Sequence, residues 1–259
     1  MLFRTEFKSR RANYLVTKYP IVLCHGLLGF NQIQFAGLVY EYWNGIQQIL
    51  EDHGAKILSD RVPPLGSIKD RAIALREMIL SQKQGYETVN LIGHSMGGLD
   101  ARYLVSKLEQ PGFKVNSVTT ISTPHKGTYL ADLALPITKM LPGSMGAFSE
   151  LSTSSMEHFN SSILDNPNVS YFSYGSKINP SVLSPFYTTW RILKQKEGDN
   201  DGLVSVKSAE WGEYQGTLWN VDHWDLVNLS SYKRKTRNHD FDAGSLYLHV
   251  MDNLAKKGF

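Results

Sequence analysis

Thr88-Val-Asn-Leu-Ile-Gly-His-Ser-Met-Gly-Gly98 is the stretch that decides the fold. Its first five residues are an apolar, strand-forming run, and residues 98–108 continue with helical periodicity. Between them Ser95 sits in the pattern Gly-x-Ser-x-Gly. The pentapeptide alone is common; a strand on one side and a helix on the other make it a nucleophile elbow. Small residues at 93 and 97 let strand and helix pass closely. The turn lifts the hydroxyl to the carboxyl edge of a sheet, at a helix N-terminus whose dipole favours negative charge.

Outward from the elbow, short apolar runs alternate with longer helical patterns. Pro20-Ile-Val-Leu-Cys24, Ala55-Lys-Ile-Leu58 and residues 115–122, 169–174 and 216–221 read as strands. Residues 41–53, 68–84, 98–108 and 241–256 read as helices. This alternation predicts an α/β fold with a mostly parallel central sheet and helices on both faces. No repeat or linker divides residues 1–259, so one domain is expected. Residues 128–160 break the rhythm with an apolar helical piece (Leu130, Leu133, Ala134, Ile137, Met140, Leu141), then Pro142-Gly143 and a Ser/Met-rich stretch. A mobile helical lid over an acyl-binding cleft is the expectation here; an ordinary pair of connecting helices is the plainer reading.

A serine hydroxyl attacks a carbonyl only when a base takes its proton, and the base needs an orienting carboxylate. In this kind of fold the order is Ser, acid, His. Of the histidines after Ser95, His125 follows the next strand too soon, His158 lies in the lid region, His239 in a basic loop and His249 in the terminal helix. His223 directly follows the strand at 216–221, at the same sheet edge as the elbow, and is the expected base. In Gly198-Asp-Asn-Asp-Gly-Leu-Val204 both Asp199 and Asp201 qualify by position. Asp201, beside Gly202 and a short apolar run, is the better placed for burial against an imidazole. Negative charge on the carbonyl oxygen calls for backbone donors: Met96, after the nucleophile, and Leu27, in His25-Gly-Leu-Leu-Gly29 after the first strand.

Composition fits a globular protein with a sizeable core: 42% hydrophobic and 20% charged among 259 residues. The formal charge of +3 and the short Lys233-Arg-Lys235 run give no footprint for nucleic acid. Cys24, the single cysteine, permits no intramolecular disulfide. Residues 1–20 carry Arg4, Lys8, Arg10 and Arg11 but no apolar signal-peptide core. The expectation is an intracellular protein, cytoplasmic or mitochondrial.

Five blocks, in order, resemble the bacterial true-lipase family typified by Pseudomonas and Burkholderia triacylglycerol lipases. They are residues 20–29, 89–98, Ser122-Thr-Pro-His-Lys-Gly-Thr128, Asn200-Asp-Gly-Leu-Val204 and Asp222-His-Trp-Asp-Leu-Val-Asn228. The resemblance implies an α/β-hydrolase fold, a lidded site and long-chain acylglycerol ester substrates met at a lipid–water interface. It also implies Ser95, Asp201 and His223 as triad, with Leu27 and Met96 as oxyanion donors. Those enzymes hold a structural calcium near the catalytic histidine. Asp225 matches one of its two aspartates, but no aspartate lies between Asp165 and Asp199 to supply the second, and Leu229 stands where a glutamine is expected. The site is expected to be absent or reorganised, and no cofactor is required.

The expected activity is that of a serine carboxylester hydrolase, most simply a triacylglycerol lipase. Phospholipase, acyltransferase or short-chain esterase action would use the same triad. A non-catalytic α/β-hydrolase scaffold is the reading from another class, and the intact triad argues against it. Oligomeric state is not legible.

Overall fold

The computed structural model describes residues 13–27, 33–35, 38–59, 62–82, 85–110, 112–140, 146–229 and 241–259. Arg4, Lys8, Arg10, Arg11, Gly29, Leu141, Pro142, Gly143, the 233–235 basic run and His239 lie outside them.

Elements run along the chain as β1 (Ile21–Cys24), β2 (Ile33–Phe35), β3 (Leu38–Tyr40), α1 (Ile46–Asp52) and β4 (Ile57–Leu58). Next come α2 (Ile68–Gln82), β5 (Thr88–His94), α3 (Gly97–Lys107), β6 (Lys114–Ile121), α4 (Tyr129–Met140), α5 (Gly146–Ser149) and α6 (Thr153–Ser162). The chain continues through β7 (Ser170–Lys177), α7 (Tyr187–Lys196), α8 (Val206–Ala209), β8 (Glu213–Trp219) and α9 (Ala243–Lys256). Six strands form one wholly parallel sheet in the order β4-β1-β5-β6-β7-β8. β2 and β3 pair separately as a small antiparallel ribbon.

Parallel strands are buried on both faces, which is why β1 and β5 read as continuous apolar runs. In β1, Ile21 and Leu23 join one core with α1 and α9, while Val22 and Cys24 join the opposite core with α2 and α3. That is the two-residue alternation of a pleated strand. β6 departs from it: Val115 and Val118 share a face despite their odd spacing. The register against β5 jumps there, pairing Val89 with Val115 but Asn90 with Ser117, so one extra residue is absorbed. Asn90 is fully buried within this irregularity, and its Oδ1 accepts the Ser117 hydroxyl at 2.8 Å.

α9 packs Leu246, Tyr247, Val250 and Met251 into the α1-side core and begins at an Asp242 cap, whose Oδ2 accepts the Ser245 N–H at 2.8 Å. Each of the fully buried Leu, Val and Met side chains contributes roughly 1.5–3 kcal/mol. The break in the strand–helix rhythm after residue 128 is α4, α5 and α6, which add no strand. Their buried residues Ala131, Ala147, Leu151 and Met156 form a third apolar cluster with Met96, Leu99 and Ile68. The cap helices are thus packed directly on the elbow. Two expectations needed adjustment. The helix predicted from 41 starts only after Gly45, which adopts a left-handed φ of 76°. The acid loop is preceded by a helix, α7, that the strand–helix reading had not assigned. No helix among the described residues is long and apolar enough to cross a membrane.

Candidate active site

Ser95 lies between β5 and α3 with φ of 54°, a left-handed conformation that costs a non-glycine residue of order 1–3 kcal/mol. Neighbouring contacts enforce it. A Cβ on Gly97 would sit 2.1 Å from the Cys24 carbonyl oxygen, and one on Gly93 would sit 2.6 Å from the Gly98 Cα. Backbone, not a mobile side chain, fills both spaces, so the crossing of strand and helix requires glycine. The Ser95 N–H donates to the Ile121 carbonyl at 3.0 Å, pinning the turn to β6.

Asp201 and His223 meet from two loops at the carboxyl edge. Asp201 Oδ2 accepts from His223 Nδ1 at 2.8 Å, and the His223 N–H donates to the Asp201 carbonyl at 3.1 Å. Asp201 is fully buried. Burial alone would push its carboxyl upward, but the His223 charge and hydrogen bond, with the N–H groups of Leu203 and Val204, hold it below the ordinary value. Those two amides donate to Oδ1 at 2.9 and 2.8 Å. Ser176, on β7, donates its hydroxyl to Oδ2 at 3.1 Å. With that proton committed, the Ser122 hydroxyl is the donor in the 2.8 Å Ser122–Ser176 bond. Ser122 itself has a left-handed φ of 46° at the end of β6. The acid therefore links His223 to a buried chain, Ser122–Ser176–Asp201–His223.

Asp199, the other acid that qualified by position, is tied instead to Lys177 at 2.6 Å and to Lys194, and is 41% exposed. The other described histidines after Ser95 lie elsewhere. His125 bonds Thr120 Oγ1 at 2.9 Å and stacks on Trp211. His249 bonds Asn253 within α9, and His158 is exposed on α6.

Leu27 and Met96 flank Ser95 from β1 and α3, and neither N–H has an acceptor among the described residues. The loop bearing Leu27 is anchored from behind. His25 Nε2 accepts the Val62 N–H at 3.2 Å and Nδ1 donates to the Gly26 carbonyl at 2.8 Å, so the ring is neutral. Burial, then the nearby Arg71 charge, lower its pKa to about 4. Arg71, fully buried, donates to the His25 carbonyl at 2.5 Å and pairs with Asp100 at 2.7 Å.

Tyr42 ties that loop to the elbow. Its hydroxyl oxygen accepts the Gly26 N–H at 2.8 Å, which leaves its proton for His94 Nδ1 at 2.6 Å. The His94 ring lies 4.6 Å from that of His223. Burial, then the charge of His223, keep His94 neutral. Tyr42, Arg71, Asp100, His94 and Ser176 were not picked out from sequence. Arg71 and Asp100 carried the available signal: charges within the apolar repeats of predicted helices. The others depend on contacts across the fold.

At the turn carrying His223, Asp222 Oδ1 accepts the N–H groups of Trp224 and Asp225 at 3.0 and 2.9 Å, and Asp225 Oδ2 accepts that of Asp222 at 3.0 Å. Burial, then the Asp225 charge, raise Asp222 to about 6. Among the described residues no group of three or more His, Cys, Asp or Glu could hold a metal. Both turn carboxylates accept main-chain amides of the turn itself.

Ser95, His94 and His223 open into one cavity of about 680 Å³. Its walls are apolar, with Leu27, Leu65, Leu130, Phe148, Trp224 and Val227 among them.

A family model described as "PGAP1-like alpha/beta domain" matches residues 66–198. Triacylglycerol lipase 2 of Saccharomyces cerevisiae is 33% identical over 95% of this chain and 94% of its own. Triacylglycerol lipase of Pseudomonas fragi is 27% identical over 93% and 98%. Among solved structures, Staphylococcus hyicus lipase superposes with a TM-score of 0.73 at 20% identity, covering 96% of this chain and 98% of that one. With a full-length relative at this identity and a parallel sheet carrying an elbow serine, the chain belongs to the triacylglycerol lipase family of α/β-hydrolases.

Proposed function

We propose that this lipase hydrolyses long-chain acylglycerol esters through an acyl-enzyme on Ser95. The buried Asp201–His223 pair opening with Ser95 into one apolar cavity is the observation that carries the reading. In it, His223 takes the Ser95 hydroxyl proton as Oγ attacks the ester carbonyl, and Asp201 stabilises the imidazolium. The carbonyl electrons move onto oxygen, which the Leu27 and Met96 N–H groups receive. As the tetrahedral species collapses, the C–O bond to the alcohol breaks and His223 protonates the leaving oxygen. Water, deprotonated by His223, then attacks the acyl-enzyme and releases the fatty acid. No metal or other cofactor enters these steps.

The cavity's apolar lining suits acyl chains, whose burial is favourable without directional contacts. Residues 128–160 act as a lid in this reading. Leu130 on α4, Phe148 on α5 and Leu151 between α5 and α6 line the cavity, and Leu133 on α4 is half exposed, ready for a lipid phase. The single buried Cys24 supports a place of action within the cell.

Purified enzyme supplied with emulsified triolein, phosphatidylcholine vesicles and dissolved p-nitrophenyl butyrate tests the reading. Fatty acid release fastest from triolein, and lost in Ser95→Ala, is expected. Exclusive hydrolysis of the phospholipid or of the short ester would overturn the substrate assignment.

A further inference from the structure

Val182 and Leu183 occupy the tip of a tight turn closed by the Ser184 N–H donating to the Ser181 carbonyl at 2.9 Å. Turn tips normally carry Gly, Asn, Asp or Ser. Here the tip residues are 71% and 92% exposed, the two most exposed large apolar side chains among the described residues. Scattered single apolar residues on a surface need no explanation, but an adjacent pair held out on a turn does.

The turn is connected to the cavity mouth. Phe186, three residues beyond Leu183, packs edge-on against Trp224 with ring centroids 4.8 Å apart. Trp224 lines the cavity beside His223 and is itself 43% exposed. From Phe186 the chain enters α7, where Tyr187, Trp190, Arg191 and Lys194 follow helical spacing along one side. Arg191 and Lys194 are exposed on that side, Lys194 ion-paired with Asp199, whereas Lys196 lies on the opposite side with its ammonium 5.2 Å from the centre of the Tyr129 ring. α7 also packs on α4, the cap helix with the half-exposed Leu133. An exposed apolar tip followed along the chain by half-buried aromatics and cations is the composition that seats on a lipid surface, apolar groups toward acyl chains and cations toward anionic headgroups.

We infer that the turn around Val182–Leu183, backed by the basic side of α7, is a membrane-inserting anchor that seats the cavity mouth on an anionic lipid surface. The inference rests on the lipase reading above and adds a contact outside the cap helices. The cations favour a bilayer or droplet surface over a second copy of this chain, which would bring like charges together.

The test compares wild type with Val182→Ser/Leu183→Ser and with Arg191→Gln/Lys194→Gln. Sedimentation with phosphatidylcholine vesicles, with and without phosphatidylglycerol, should show the first variant binding about tenfold more weakly to both. The second should lose only the preference for phosphatidylglycerol. Turnover of emulsified triolein should fall in parallel, while turnover of dissolved p-nitrophenyl butyrate stays within about twofold. In a third variant, Leu183→Cys carrying an environment-sensitive fluorophore, vesicles should shift emission to the blue; Cys24 is buried and stays unlabelled. Unchanged vesicle binding with no spectral shift would overturn the anchor, as would a wild-type dimer that the serine pair converts to monomer without loss of vesicle binding. Loss of the dissolved-ester activity in wild type itself would instead strike the catalytic reading.

Discussion

His223 is joined to Asp201 twice, by Nδ1 to Oδ2 at 2.8 Å and by its backbone N–H to the Asp201 carbonyl at 3.1 Å. The main-chain bond sets where the imidazole stands, and the side-chain bond sets its tautomer, with the proton on Nδ1 and Nε2 left as an acceptor. Asp201→Asn keeps the first and disturbs the second. The expected result is a loss of about 10⁴-fold in kcat with a small change in Tm. A kcat near wild type would mean the pair only supports the fold.

Ser176 acts on the same carboxylate from β7. Ser176→Ala removes a donor to a charged acceptor, yet the Leu203 and Val204 amides still hold Oδ1. About a tenfold fall in kcat at unchanged KM is expected, the size of one charge-assisted hydrogen bond. Ser176→Thr keeps the hydroxyl and should restore most of the rate. Equal loss in both variants would point to packing rather than to the hydroxyl.

Gly97→Ala places a Cβ 2.1 Å from the Cys24 carbonyl in a contact made wholly of backbone. The crossing of β1 and α3 must then open, at a cost of about 3 kcal/mol or more. Denaturant unfolding should show the loss, and an unshifted midpoint would contradict it.

Asp222 gives a pH prediction with a definite sign. Its folded pKa is raised from 3.8 to about 6, so the folded state binds the proton more tightly than the unfolded chain does. Its contribution to stability therefore declines as pH rises from 3.8 to about 6, then levels off. Asp222→Asn keeps the amide-accepting oxygen and removes the charge. It should stabilise the protein at pH 7 by at most on the order of 3 kcal/mol, with little difference at pH 3. Melting curves across that range decide, and destabilisation at pH 7 would overturn the assignment.

What the sequence disclosed divides by range. Ser95 was legible because its neighbours along the chain carry the elbow: an apolar strand, two glycines and a helix. The Asp201–His223 pairing was expected from chain order and from the apolar run beside Asp201, although the acid loop follows α7 and not a strand directly. Tyr42 was not legible, because it matters through Gly26 and His94, sixteen and fifty-two residues away. Ser176 and Ser122 likewise look like ordinary strand-end serines until the sheet brings β6 and β7 beside the acid loop. The β2–β3 ribbon consists of two three-residue strands, too short for a periodic signal.

The central claim is that Ser95 is the nucleophile, and covalent trapping tests it most directly. A long-chain alkyl fluorophosphonate, incubated with the enzyme and followed by peptide mass spectrometry, should place a single adduct on Ser95. Loss of hydrolytic activity should keep pace with labelling, and Ser95→Ala should neither label nor hydrolyse triolein. An adduct on another residue, or a Ser95→Ala enzyme that still hydrolyses the ester, would contradict the account.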